Sequence, residues 1–153
     1  MPLRDLPSAF EALAATQSNV GRMKKAGVKV AIGMFNTSNQ PRYAPQEAGN
    51  LVALGKLPGA AGLTWGEAFA AITSVPAEIS GMGGRNGGVR AGVLAPGAVG
   101  DVVIWDGDPL ELSSAPLEVF IDGVKQPLDN HQSRLRQRYK SLDRTYLPKA
   151  YDW

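Results

Sequence analysis

Cysteine is absent from the 153 residues of this chain, and histidine occurs once. The first absence excludes disulfides, thiolate metal sites and cysteine nucleophiles, and it is compatible with either redox compartment. The second is nearly as restrictive. A metal-dependent hydrolase gathers several imidazoles and carboxylates around the ion that activates its water. The lone histidine, His131, sits in a basic stretch without an acid at ligand spacing and reads as a solvated surface residue. A surplus of one charge is also missing: 16 Lys and Arg against 14 Asp and Glu leave +2, too little to imply a polyanionic partner. No run approaches the roughly 20 apolar residues that cross a bilayer. The segment Met1-Pro2-Leu3-Arg4-Asp5-Leu6-Pro7 has no apolar core of signal-peptide length. The default expectation is therefore a cytoplasmic chain without a membrane partner, or a periplasmic one if it was cut from an exported parent.

What is present fits one folded domain. Apolar residues make up 44% of the chain and charged ones 20%, outside the range of disordered sequences. Ser8-Ala9-Phe10-Glu11 has the form of a capping box, opening a helix with Phe10, Leu13 and Ala14 on one face. A second helix is expected over 17–25, with Val20 and Met23 together, Lys24 and Lys25 at its negative end, and Gly27 as the stop. The β-branched run 28–33 then predicts a strand, and helix, glycine, strand is the order of an α/β unit.

After a polar loop over 34–43, Pro45 suits the first turn of a helix reaching Leu54, with Ala48, Leu51 and Val52 inward. Thr64-Trp65-Gly66-Glu67 is a second capping box, and Ala68, Phe69 and Ile72 of its helix face a core. Pro76 begins a short helical piece through Ile79.

The glycine-rich run 81–88 predicts a break between halves. It lacks the Gly-x-x-x-x-Gly-Lys-[Ser/Thr] of a phosphate loop, has Asn86 where a dinucleotide fingerprint needs glycine, and precedes a β segment. Beyond it, strands are expected over 89–94, over 101–105 and from Val119 onward. The apolar run Val102-Val103-Ile104-Trp105 reads as a strand covered on both faces. Asp122-Gly123 is a type I′ hairpin signal. Asp101, Asp106 and Asp108 lack the spacing of a calcium loop and read as turn caps. No Gly-x-Ser-x-Gly accompanies His131. From Asp129 the chain turns helical and basic, with Leu135, Tyr139 and Leu142 at i, i+4, i+7 among Arg134, Arg136, Arg138, Lys140, Arg144 and Lys149. This reads as a solvated helix face ahead of a nucleic-acid contact.

One long run carries a resemblance. Gly92-Val93-Leu94-Ala95-Pro96-Gly97, followed by Asp101-Val102-Val103-Ile104-Trp105-Asp106-Gly107-Asp108-Pro109-Leu110, resembles the closing signature of the amidohydrolase superfamily in its imidazolonepropionase-like branch. The likeness extends from about Pro7 to Arg138. Residues 26–33 resemble the last helix-to-strand passage of the family's barrel, and Gln46-Glu47-Ala48-Gly49-Asn50 the start of the helix after it. Thr73-Ser74-Val75-Pro76-Ala77 resembles the family's Thr-x-Asn-Pro-Ala step, with Val75 replacing Asn.

The resemblance implies an α/β to α+β fold. It would comprise the C-terminal fragment of a (β/α)₈ barrel over 1–82, the returning strands of a small composite β-sandwich over 83–128, and a basic helical tail over 129–153. A complete barrel needs about 250 residues, so the fragment is expected to join a complementary N-terminal half or another copy of itself, or to settle as a compact α+β remnant. The implied activity is hydrolysis of C–N bonds in cyclic amides or peptide-like substrates, with a non-catalytic binding module as the alternative. Zinc or another divalent metal is expected only if that N-terminal half supplies the ligands. Asn36 stands at the position of the family's last-strand aspartate, and an amide cannot take a proton from metal-bound water. Barrel sites lie at the C-terminal ends of strands, which places Thr37, Ser38, Asn39 and Arg42 as substrate contacts, with Tyr43, Gln46 and Glu47 on the same rim.

Overall fold

A computed structural model of the chain describes residues 16–33, 40–84 and 87–140. The capping box at 8–11 and the tail beyond Lys140 lie outside these residues. The described elements are α1 (Asn19–Lys25), a 3₁₀ turn (Gln40–Tyr43), α2 (Ala44–Leu54), α3 (Trp65–Ala70), α4 (Ser74–Ile79), β1 (Val102–Trp105), β2 (Pro116–Ile121), β3 (Val124–Gln126) and α5 (His131–Tyr139). None of the described helices is long and apolar enough to cross a membrane.

α1 ends as its glycine requires. Gly27 takes φ +82°, its N–H reaches Lys24 O at 3.0 Å, and Val28 N–H reaches Met23 O at 3.0 Å. The carbonyls of Met23 and Lys24 at the helix end are thereby satisfied. The expected strand over 28–33 does not form a ladder. It runs extended, and Ile32 N–H donates to Ala71 O at 2.9 Å. A parallel strand exists only through its neighbours, and none flanks this segment among the described residues.

The core is built where α2 meets α3. Ala48 and Ala68 are fully buried, and Leu51, Leu54, Leu63 and Leu110 close around them, with Val20, Ile32, Val52, Phe69 and Ile72 packed outside. Two alanines at the contact let two short helices approach closely, and the leucines fill the flanks. Leu110 comes from the turn after β1, far along the sequence. Gly49 makes that possible, because a Cβ there would stand 2.3 Å from Leu110 O.

The three strands form an antiparallel sheet in the order β1-β2-β3. Val102, Val103 and Ile104 lie opposite Phe120, Val119 and Glu118, and Val119, Phe120 and Ile121 lie opposite Gln126, Lys125 and Val124. The hairpin turn is as expected: Asp122 and Gly123 take φ of 50° and 75°, both left-handed as type I′ demands.

Two strand expectations fail. β1 is not covered on both faces, since Val103 and Ile104 are each 44% exposed. A continuous apolar run specifies double burial only when a second layer exists, and none covers the sheet among the described residues. Residues 89–94 make a single bridge, Gly83 with Arg90, flanked by Gly84 N–H to Val89 O and Ala91 N–H to Met82 O, both 2.8 Å. Gly92 at φ +73° then turns the chain, so pairing stops.

Candidate functional site

Of the expected contacts, Asn36, Thr37, Ser38 and Asn39 lie outside the described residues. Arg42 is described and exposed. It stands in the 3₁₀ turn, donates from Nη2 to Tyr43 Oη at 2.6 Å, and its guanidinium carbon lies 4.7 Å from the Tyr43 ring centroid. Gln46 and Glu47 follow in the first turn of α2, both half-buried. Glu47 there carries its negative charge near the positive end of the helix. The turn and the helix start thus hold a cation, a phenol, an amide and a carboxylate within six residues.

The three aspartates of the closing run cap turns, as their spacing implied. Asp101 Oδ1 accepts from Asp122 N–H at 2.8 Å, and Asp106 Oδ1 from Ala115 N–H at 2.7 Å. Each carboxylate thus ties one end of β1 to β2's flank. Asp108 does more. Its Oδ1 accepts from Leu110 N–H at 2.9 Å, and its carboxylate also receives Trp65 Nε1–H at 3.0 and 2.9 Å to its two oxygens. Trp65 stacks on Phe69 with ring centroids 5.0 Å apart and planes at 15°. The indole, the carboxylate and the buried Leu110 therefore bind the turn after β1 to the start of α3. This pair was missed from sequence. No local spacing signals a contact between residues 43 apart.

The second capping box is complete: Thr64 Oγ1 accepts from Glu67 N–H at 3.3 Å, and Thr64 N–H donates to Glu67 Oε2 at 2.9 Å. The Thr64 backbone N–H, followed by its hydroxyl, holds the Glu67 carboxyl below the usual carboxylate range. At α5 the cap is Asn130, whose Oδ1 accepts from Ser133 N–H at 3.0 Å while its own N–H reaches Ser133 Oγ at 2.9 Å. His131 follows it, exposed.

Among the described residues no three of His, Asp and Glu lie together, and the carboxylates of Asp101, Asp106 and Asp108 each accept a backbone N–H.

Comparison with known proteins agrees with this architecture. No protein-family profile matches the chain. Over 65 residues, 42% of its length, it is 45% identical to "Amidohydrolase tasK" of Hapsidospora irregularis, and the match covers 6% of that protein. Its fold resembles that of an amidohydrolase from Thermotoga maritima MSB8, with a TM-score of 0.63 and 24% identity. That likeness covers 78% of this chain and 28% of the Thermotoga one. The fold is thus that of part of an amidohydrolase. The matched 65 residues beside it are similar in sequence to part of an amidohydrolase as well. The chain spans well under a third of the length of either relative.

Proposed function

We propose that this chain is the C-terminal part of a metal-dependent hydrolase acting on C–N bonds in cyclic amides or peptide-like substrates. In this reading residues 1–82 are the last barrel units, 83–128 belong to a composite β domain, and 129–153 form a tail. The ligands for zinc or another divalent ion come from a complementary N-terminal part, and the complete protein acts on a small molecule. The observation that carries the reading is the 45% identity to an amidohydrolase over 65 residues. This chain's own residues then serve binding: Arg42 and the polar residues Thr37, Ser38 and Asn39 hold substrate at the rim, and Asn36 accepts no proton.

Metal content and turnover of the purified 153-mer test the proposal. The expected result is no stoichiometric zinc and no hydrolysis of cyclic amides by the chain alone. Both are expected to appear when an N-terminal amidohydrolase half bearing its histidines is added. Tight zinc binding or amide turnover by the unaided chain overturns it. A chain that binds a cyclic amide unchanged, with or without that half, is a binding module.

A further inference from the structure

Two Asp-Gly steps lie in the β-rich half, Asp106-Gly107 after β1 and Asp122-Gly123 in the hairpin turn. All four residues are exposed, so access to water does not separate them. Their backbone bonding does.

At the hairpin, Gly123 N–H donates to Gly100 O at 2.8 Å, and Asp122 N–H to Asp101 Oδ1 at 2.8 Å. Both residues of this step take left-handed φ, 50° and 75°. The amide that follows the Asp122 side chain is therefore committed to another residue's carbonyl. After β1 the pattern is reversed. Gly107 N–H meets no acceptor among the described residues. The carboxyl beside it is held instead: Asp106 Oδ1 accepts from Ala115 N–H at 2.7 Å, and Asp106 N–H donates to Ala115 O at 3.1 Å. Asp106 Oδ2 has no partner among the described residues.

A main-chain nitrogen next to an aspartyl side chain lies within reach of its carboxyl carbon, and a following glycine leaves the approach open because it carries no Cβ. We propose that Asp106 is a site of spontaneous isoaspartate formation, while the fold protects Asp122. Gly107 N loses its proton and bonds to Asp106 Cγ. The bond from Cγ to Oδ2 breaks, and Oδ2 leaves as water, carrying the carboxyl proton and the amide one. The product is a cyclic imide, which water reopens. Addition at Cγ restores aspartate. Addition at the main-chain carbonyl leaves the chain running through Cγ, with the former carbonyl as a free carboxylate. One water departs and one returns, and nothing is oxidised or reduced.

Ala115 N–H favours the first step, because it already donates to Oδ1, where negative charge gathers as the nitrogen adds. At Asp122 the same closure must first break the bond from Gly123 to Gly100. The isoaspartyl chain is one carbon longer where β1 ends and the turn to Asp108 and Leu110 begins. Only residues of this chain and water take part, so the proposal stands apart from the hydrolase reading.

Ageing the folded chain in mildly acidic buffer tests this, followed by cleavage after basic residues and after glutamate. Asp106 then falls in the peptide 91–111 and Asp122 in 119–125. Isoaspartyl peptides separate chromatographically from their parents at unchanged mass. Peptide 91–111 is expected to convert roughly two- to tenfold faster than 119–125, the ratio that one backbone hydrogen bond carries. In guanidinium that bond is gone, and the two rates are expected to come together. Gly107→Ala with Ser114→Ala is expected to remove most conversion in 91–111 and to leave 119–125 as it was. The serine is trimmed because a Cβ at Gly107 would stand 2.7 Å from Ser114 Oγ, and circular dichroism checks that the fold stays intact. Equal rates in the folded chain overturn the proposal, as do faster conversion at Asp122 and no conversion at either site. A ratio that survives guanidinium assigns the difference to sequence alone and also overturns it. Conversion of 91–111 that the double variant leaves unchanged excludes Gly107 N as the attacking atom, with the same consequence.

Discussion

The helical layer and the sheet solve burial with opposite success. In α2 and α3 the contact residues Ala48 and Ala68 are fully buried, and Leu51 and Leu54 are below a tenth exposed. In the sheet, residues at least as apolar stay open, Val124 to 63%. The two regions do not differ in composition so much as in what lies opposite. Two helices form two layers between themselves, whereas three strands form one layer and need another. The strands pair through β2 while Leu117, Ile121 and Val124 stay exposed.

This contrast can be broken most strongly in the helical layer. Leu51→Ala is expected to cost about 2–5 kcal/mol of unfolding free energy, read by urea titration. It deletes a side chain in a filled space. Removing the tie between the regions comes next. Asp108→Ala leaves the Trp65 indole and the Leu110 N–H without their acceptor, with an expected loss of about 1–2 kcal/mol and a change in tryptophan emission. Emission and stability both unchanged would show the pair to be incidental. The smallest effect belongs to the open sheet: Val103→Thr is expected to move stability by no more than about 0.5 kcal/mol in the isolated chain at low concentration.

Acid sharpens the comparison from another side. The Glu67 carboxyl is held below its ordinary range by Thr64, so the folded state favours its ionised form. That contribution is present above the carboxyl's unfolded pKa and is lost as pH falls through the lower, folded one. Thermal melts of wild type and Glu67→Gln are therefore expected to converge as acid protonates this carboxyl, with wild type the more stable at neutral pH.

Local signals were legible and layer partners were not. Thr64 to Glu67, Gly27 and Asp122-Gly123 each encode a structure within a few residues, where backbone geometry and one side chain decide the outcome. The helix ending at Leu54 was readable because Ala48 and Leu51 repeat on one face. The strand over 28–33 was read from β-branched residues, but a ladder depends on segments that the run itself does not contain. Double cover of β1 was inferred from apolarity alone, which reports what a strand tolerates and not what it meets. The Trp65–Asp108 pair depends on a fold in which residues 43 apart converge. Of the candidate rim, Arg42 could be placed on its turn beside Tyr43, but its service to a substrate rests on the family resemblance.

Leu110 gives the molecule a mechanical linkage between its parts. The turn that follows the sheet's first strand is corked into the space between α2 and α3, and that cork cannot be drawn while both helices stay seated. The sheet and the helices are therefore expected to share one melting transition, read by circular dichroism together with tryptophan emission.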